Sequence, residues 1–107
     1  MSYTLDLEVD NIGNPHFSLD LNVKLSKLTP INGSPELNIL NHIQYISFLP
    51  PNQIQGSAFI LSPANPSELP AQGAQYMASG SIEFYEDGTP GKQYHYFQIT
   101  LDVENVE

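Results

Sequence analysis

The chain of 107 residues has no cysteine, no tryptophan and only 3 Lys+Arg, and its apolar residues never gather into a long run. Each absence excludes something. Without cysteine there is no disulfide, no zinc–thiolate site and no thiolate nucleophile. The only cations are Lys24, Lys27 and Lys92, so no basic stripe exists to displace counterions from a phosphate backbone, and nucleic acid is not an expected partner. Apolar residues alternate with polar ones instead of running together, so no stretch reads as a helical membrane span. The first 25 residues hold no cation before Lys24 and no continuous apolar segment, the two marks of a secretory leader. The expectation is a cytoplasmic chain, with unconventional export left open.

Against these scarce cations stand 12 Asp+Glu, for a net charge of −9. With 40% hydrophobic residues the chain is too apolar for disorder. Its length fits one domain, 1–107, able to bury roughly 60–70% of its unfolded surface without staples.

Period-two alternation is the dominant pattern, and it predicts strands. Tyr3, Leu5, Leu7 and Val9 are apolar between Thr4, Asp6, Glu8 and Asp10. Turn residues follow at 11–15, and Phe17, Leu19, Leu21, Val23 and Leu25 resume the alternation on one face. These two segments read as a hairpin or as neighbouring strands. After the break at 29–35 the pattern divides. Ser34-Pro35-Glu36 has the chemistry of a helix start, with Leu37, Leu40 and Ile43 on one face. Residues 42–49 instead have strand composition, so 36–41 stays open between helix and strand. The apolar parity changes between Tyr45 and Ile46, which suggests a β-bulge or burial on both sides.

Pro50-Pro51 stops that strand. Residues 54–61 form the next, with Phe59 and Leu61 on one face and Ile54, Ala58 and Ile60 on the other. Pro63, Pro66 and Pro70 make 62–74 a loop, either a crossover between sheets or part of a binding rim. The last third is a hairpin. Tyr76, Ala78, Gly80, Ile82 and Phe84 share the core face with His95, Phe97, Ile99, Leu101 and Val103. A four-residue loop over 88–91 would oppose Asp87 to Lys92 and Tyr85 to Tyr94, with attraction across the loop base. The fold class is therefore all-β: a single antiparallel β-sandwich, or a small open barrel, of about six strands, rich in hairpins with little or no helix.

The strongest candidate site is on that hairpin. With Phe84 and Phe97 turned inward, Tyr85, Tyr94 and Tyr96 point outward beside Glu83, Gln98 and Asp102. Rigid aromatic rings next to hydrogen-bonding groups suit a sugar ring or a protein surface. Coverage by a second sheet or by the 62–74 loop would leave them as ordinary cross-strand pairs.

A second feature is acidity at both ends: Asp6, Glu8 and Asp10 at the start, Asp102, Glu104 and Glu107 at the close. If the end strands pair, their carboxylates crowd one patch that attracts a basic partner or a divalent cation. Charged edge strands that block aggregation are the simpler account. Asp10–Asn14 and Glu86–Thr89 offer clustered oxygens but not the spacing of a calcium loop.

His16, His42 and His95 are far apart in sequence and in no metal-binding or catalytic arrangement, and no Gly-x-Ser-x-Gly elbow or phosphate loop occurs. Asn32-Gly33-Ser34 matches a glycosylation acceptor but reads as a turn before Pro35. The chain is thus expected to be non-enzymatic, with no cofactor and no metal. The expectation is a recognition module that binds a glycan or protein surface through the tyrosine hairpin. Alternatives are a homo-oligomeric structural subunit and an acidic mimic that occupies a basic site on a partner.

Overall fold

The structure, a computed structural model, describes residues 2–12 and 16–103. The turn expected at Gly13-Asn14-Pro15 and the carboxylates of Glu104 and Glu107 lie outside the described residues. The fold is all-β, with seven strands among the described residues: β1 (Tyr3–Asp10), β2 (Ser18–Ile31), β3 (Leu37–Ile39), β4 (Ile43–Leu49), β5 (Ile54–Pro63), β6 (Gln75–Glu86) and β7 (Lys92–Asp102). They form two antiparallel sheets, one in the order β1-β5-β3 and one in the order β4-β2-β6-β7. No helix occurs among the described residues, so none is long and apolar enough to cross a membrane.

Inward-facing side chains of both sheets form one core, in which Leu21, Val23, Leu25, Phe59, Tyr76 and Ala78 are almost wholly buried. Alternation places Phe59 and Leu61 inside, and Ile54, Ala58 and Ile60 outside. Tyr76 is the largest core side chain; its hydroxyl donates to the Pro35 carbonyl, and burial raises its pKa above the ordinary phenol value. The loop after Pro63 carries the chain from β5 in one sheet to β6 in the other, so it is a crossover.

Within 36–41 no helix forms, and Leu37–Ile39 is a short strand. Ser34 does not cap a helix; its hydroxyl donates to the Ile31 carbonyl (2.6 Å) and accepts from the Gln75 N–H (3.1 Å). Asn32 and Gly33 both adopt positive φ, and the Ser34 N–H bonds Ile31, which closes the turn. Leu37–Ile39 then pairs with β5.

Three expectations require correction. β1 and β2 are not a hairpin: β1 pairs with β5, and β2 lies in the other sheet between β4 and β6. The reason lies at Asn11, where β1 ends. Its backbone bonds Gln53 and Asn52, and its buried side-chain amide donates to the carbonyls of His16 and Leu49, 3.1 Å each. Those bonds send the chain across to the second sheet. By the same topology the two end strands do not pair, so their carboxylates are not brought together in one ladder.

The second correction concerns β2. Leu19 does not share the face of Leu21, Val23 and Leu25; it is exposed on the opposite side. Register shifts against β6 fall between Leu19 and Asn22 and between Leu25 and Lys27. Each is a bulge that turns two successive residues outward, first Leu19 and Asp20, then Ser26 and Lys27. Asp20 sits at φ 50°, in the left-handed region that Asp tolerates better than most residues. β4 keeps continuous register with β2 and inherits the first inversion, so Ile46 and Leu49 are buried while Phe48 faces out. The parity change in β4 therefore reflects a bulge in its neighbour, together with apolar residues left exposed on its outer face.

The third correction is the hairpin register. Tyr85 opposes Lys92, and Tyr94 opposes Glu83, a shift of two residues from the expected alignment. The core face is the expected one, with Gly80 opposite Phe97. Lys92 reaches Glu83 (3.7 Å) and not Asp87, which lies 3.9 Å from His16.

Ser57 is the one buried side-chain polar atom without a hydrogen-bond partner among the described residues; the residue is 4% exposed and on the core face of β5. An orphaned hydroxyl costs about 1–3 kcal/mol. Ser57→Ala is therefore expected to stabilise the fold by about 1 kcal/mol, read as a higher urea midpoint with unchanged slope.

Candidate functional site

The outer face of the four-stranded sheet carries the tyrosines, and among the described residues no other strand covers it. Directly opposed residues of an antiparallel ladder share a face, so the pairings define rows across all four strands. One row is Phe48, Leu19, Tyr85 and Lys92; the next is Tyr45, Asn22, Glu83 and Tyr94; the third is Ile43, Lys24, Ser81 and Tyr96. Large apolar or aromatic residues stand on the flanking strands β4 and β7, about 14 Å apart at three strand spacings. Between them the floor is mainly polar.

Exposure distinguishes this face from a core. Tyr96 is 75% exposed, Tyr45 58%, Tyr94 52%, and Phe48 47%. Neither the second sheet nor the 62–74 loop covers Tyr85, Tyr94 or Tyr96. The Tyr94 and Tyr96 rings are nearly parallel, 12° apart with centroids at 6.4 Å, and Phe17 leans on Phe48 at 5.1 Å. Lys92 Nζ lies 6.0 Å from the centre of the Tyr85 ring while it pairs with Glu83. That contact ties a cation, a carboxylate and an aromatic ring together at one end of the face.

Tyr45 is held separately. Its hydroxyl donates to the carboxylate of Asp20, the left-handed residue of the bulge, and this hydrogen bond raises the phenol pKa. The bulge thus has a consequence for the surface, since it turns the Asp20 carboxylate outward to orient Tyr45.

The expected residues are only partly brought together. Glu83 stands opposite Tyr94, and Gln98 follows Tyr96 on the same face, with its amide on Met77 Sδ. Asp102 shares the face but lies at the far end of β7, six residues beyond Tyr96 or roughly 20 Å, where it accepts from Gln75 (3.1 Å). Leu19, Ile43, Tyr45 and Phe48 were not predicted as members. For Ile43, Tyr45 and Phe48 the signal was the apolar residues on both faces of β4; what no pattern in one strand reveals is that β4 flanks β2 opposite β6.

The histidines do not converge. His16 is beside Asp87, His42 Nδ1 donates to the Leu25 carbonyl (2.9 Å), and His95 lies exposed on the Phe97 side of β7. Among the described residues no three His, Asp or Glu side chains are grouped to hold a metal ion.

No protein-family model, curated protein or solved structure matches the chain.

Proposed function

We propose that the chain is a non-enzymatic recognition module that engages a glycan or a protein surface through the outer face of the β4-β2-β6-β7 sheet. One observation supports this most directly. Seven large side chains, Leu19, Ile43, Tyr45, Phe48, Tyr85, Tyr94 and Tyr96, stand at least one-third exposed on a single uncovered sheet face. Clustered exposed apolar side chains mark interaction sites, here as two rails that flank a mainly polar floor, and Tyr supplies rigid contact area at low entropy cost. Binding truncates at the aromatic rails, so Tyr94→Ala with Tyr96→Ala is expected to weaken it at least tenfold. Intrinsic tyrosine fluorescence during titration with soluble glycans, and capture from native host lysate for protein ligands, provide the readouts. Identical behaviour of parent and variant removes this face from the reading.

Self-association as a structural subunit is the second reading, because the same face could pack against another copy and both sheets end in open edges. Light scattering separates the two: a monomer at high concentration rejects self-association, and a dimer abolished by the tyrosine pair supports it. The charge of −9 favours dispersal of free chains.

A further inference from the structure

Along one flank β5 and β3 approach β4 and β2, and along the other, where β1 and β7 are the free edges of their sheets, hollows separate the two sheets. Three hollows of about 580, 230 and 280 Å³ follow one another along β1, from Ser2–Asp6 through Leu7–Asp10 to Val9–Ile12. Leu5, Leu7 and Val9 line one wall, and Phe97, Ile99 and Leu101 line the other. Each hollow exceeds the roughly 150 Å³ that accommodates a benzene ring. Core-face residues are left half-covered here: Leu5, Leu7 and Phe97 are intermediate in exposure, and Ile99 is 38% exposed.

The backbone of β1 is oriented to accept another strand. The bond from the Leu40 N–H to the Ile60 carbonyl directs the even residues of β5 toward β3, which leaves its odd residues to bond Tyr3, Leu5, Leu7 and Val9. The N–H and C=O groups of Thr4, Asp6, Glu8 and Asp10 therefore point to the free edge, and their side chains are exposed on the outer face. Among the described residues β1 pairs with β5 alone.

We propose that β1 is the docking edge for an extended segment of another protein in which apolar residues alternate with Lys or Arg. The segment continues the sheet by backbone hydrogen bonds. Its apolar side chains enter the β1/β7 groove, and its cations stand beside Asp6, Glu8 and Asp10 on the outer face. Charge selects this occupant. A second copy of β1 in antiparallel pairing would set carboxylates against carboxylates, which is destabilising in a ladder. The chain's own last residues, with Glu104 and Glu107, carry the same wrong sign.

The probe is an eight-residue blocked peptide that alternates Lys and Val, the length of β1. Its control has the same composition in the repeating order Lys-Lys-Val-Val, which keeps the charge but cannot segregate the two faces. Calorimetric titration is expected to show the alternating peptide binding at least tenfold tighter, with affinity falling as salt rises from about 50 to 500 mM. The triple variant Asp6→Asn/Glu8→Gln/Asp10→Asn is expected to lose at least tenfold while it keeps the parent's circular dichroism. Amide exchange followed by NMR should slow at Thr4, Asp6, Glu8 and Asp10 on binding. Equal affinity for the two peptides overturns the proposal, as does an unchanged triple variant or protection confined to the tyrosine face. Protection of the same amides in the free protein that grows with its concentration assigns the edge to a second copy and also overturns it.

Discussion

Gly80→Ala is expected to lower stability by about 3 kcal/mol, the upper end of overpacking costs, a fall in melting temperature of roughly 12–20 °C for a chain of this size. The glycine lies on the core face of β6, opposed by Leu25 of β2 on one side and by Phe97 of β7 on the other. A Cβ built there meets the Lys24 carbonyl oxygen at 1.9 Å and the Phe97 ring tip at 2.8 Å. The ring could rotate aside. The carbonyl cannot, because it belongs to the ladder next to the second bulge of β2. Relief would require β2 and β6 to part at the centre of their sheet, with the loss of several backbone bonds. Gly56→Ala supplies the comparison: Gly56 lies on β5 with open space around its added Cβ and without a positive φ. There the same substitution reduces unfolded-chain entropy, for an expected gain of about 0.5 kcal/mol. Thermal and urea unfolding of the two variants should therefore move in opposite directions. A mild loss at Gly80, within about 0.5 kcal/mol, would mean that β2 and β6 do not approach this closely.

Gly80 also shows what alternation can and cannot reveal. Its place on the Tyr76-Ala78-Ile82-Phe84 face was readable from spacing in one strand, as was the outward turn of Tyr85, Tyr94 and Tyr96. Side-chain direction within a strand is a local property with a strict period of two. That Gly80 must lack a Cβ depends on Lys24, fifty-six residues away, and on a bulge that no period announces. The same limit governed Leu19. Its spacing matches Leu21, Val23 and Leu25, but the left-handed backbone at Asp20 inserts an extra residue and reverses the face. An Asp inside an apolar alternation is the only trace, and Asp6, Asp10 and Asp102 are equally polar without a positive φ.

Strand partners were the least legible feature, for the same physical reason. Hairpin proximity predicts that β1 folds onto β2, because short connections usually join neighbours. The actual partner of β1 is β5, whose Phe59 and Leu61 need a second covered flank. Half of the candidate site followed from the hairpin sequence. The other half, on β4, depended on β2 lying between the two aromatic strands.

The residue that enforces this long-range pairing provides the sharpest electrostatic test. Asn11 is 8% exposed, and its amide nitrogen donates to both the His16 and Leu49 carbonyls at 3.1 Å. Asn11→Ala removes both donors and leaves two acceptors short of partners, for an expected cost of about 2–3 kcal/mol. Asn11→Asp preserves shape but replaces the donor with an oxygen aimed at two carbonyl oxygens. At pH 7 it also places a negative charge in a nearly closed site, where an uncompensated ion costs several kcal/mol. The order of stability at neutral pH should therefore be parent, then Ala, then Asp. Burial and the facing carbonyls favour the protonated acid, so the folded-state pKa of this new Asp lies above its unfolded value of about 3.9. The folded form then holds the proton more tightly than the unfolded one, and stability falls as pH rises from about 3.9 through the folded value. Below that window the charge penalty vanishes, and a protonated Asp regains one donor for one of the two carbonyls. Urea unfolding at pH 7 and again toward pH 4 should show the Asp variant approach or pass the Ala variant on acidification. If the gap between them does not change with pH, the charge is not buried. In that case the carbonyls of His16 and Leu49 are reached by solvent, and Asn11 does not hold β1 to the end of β4.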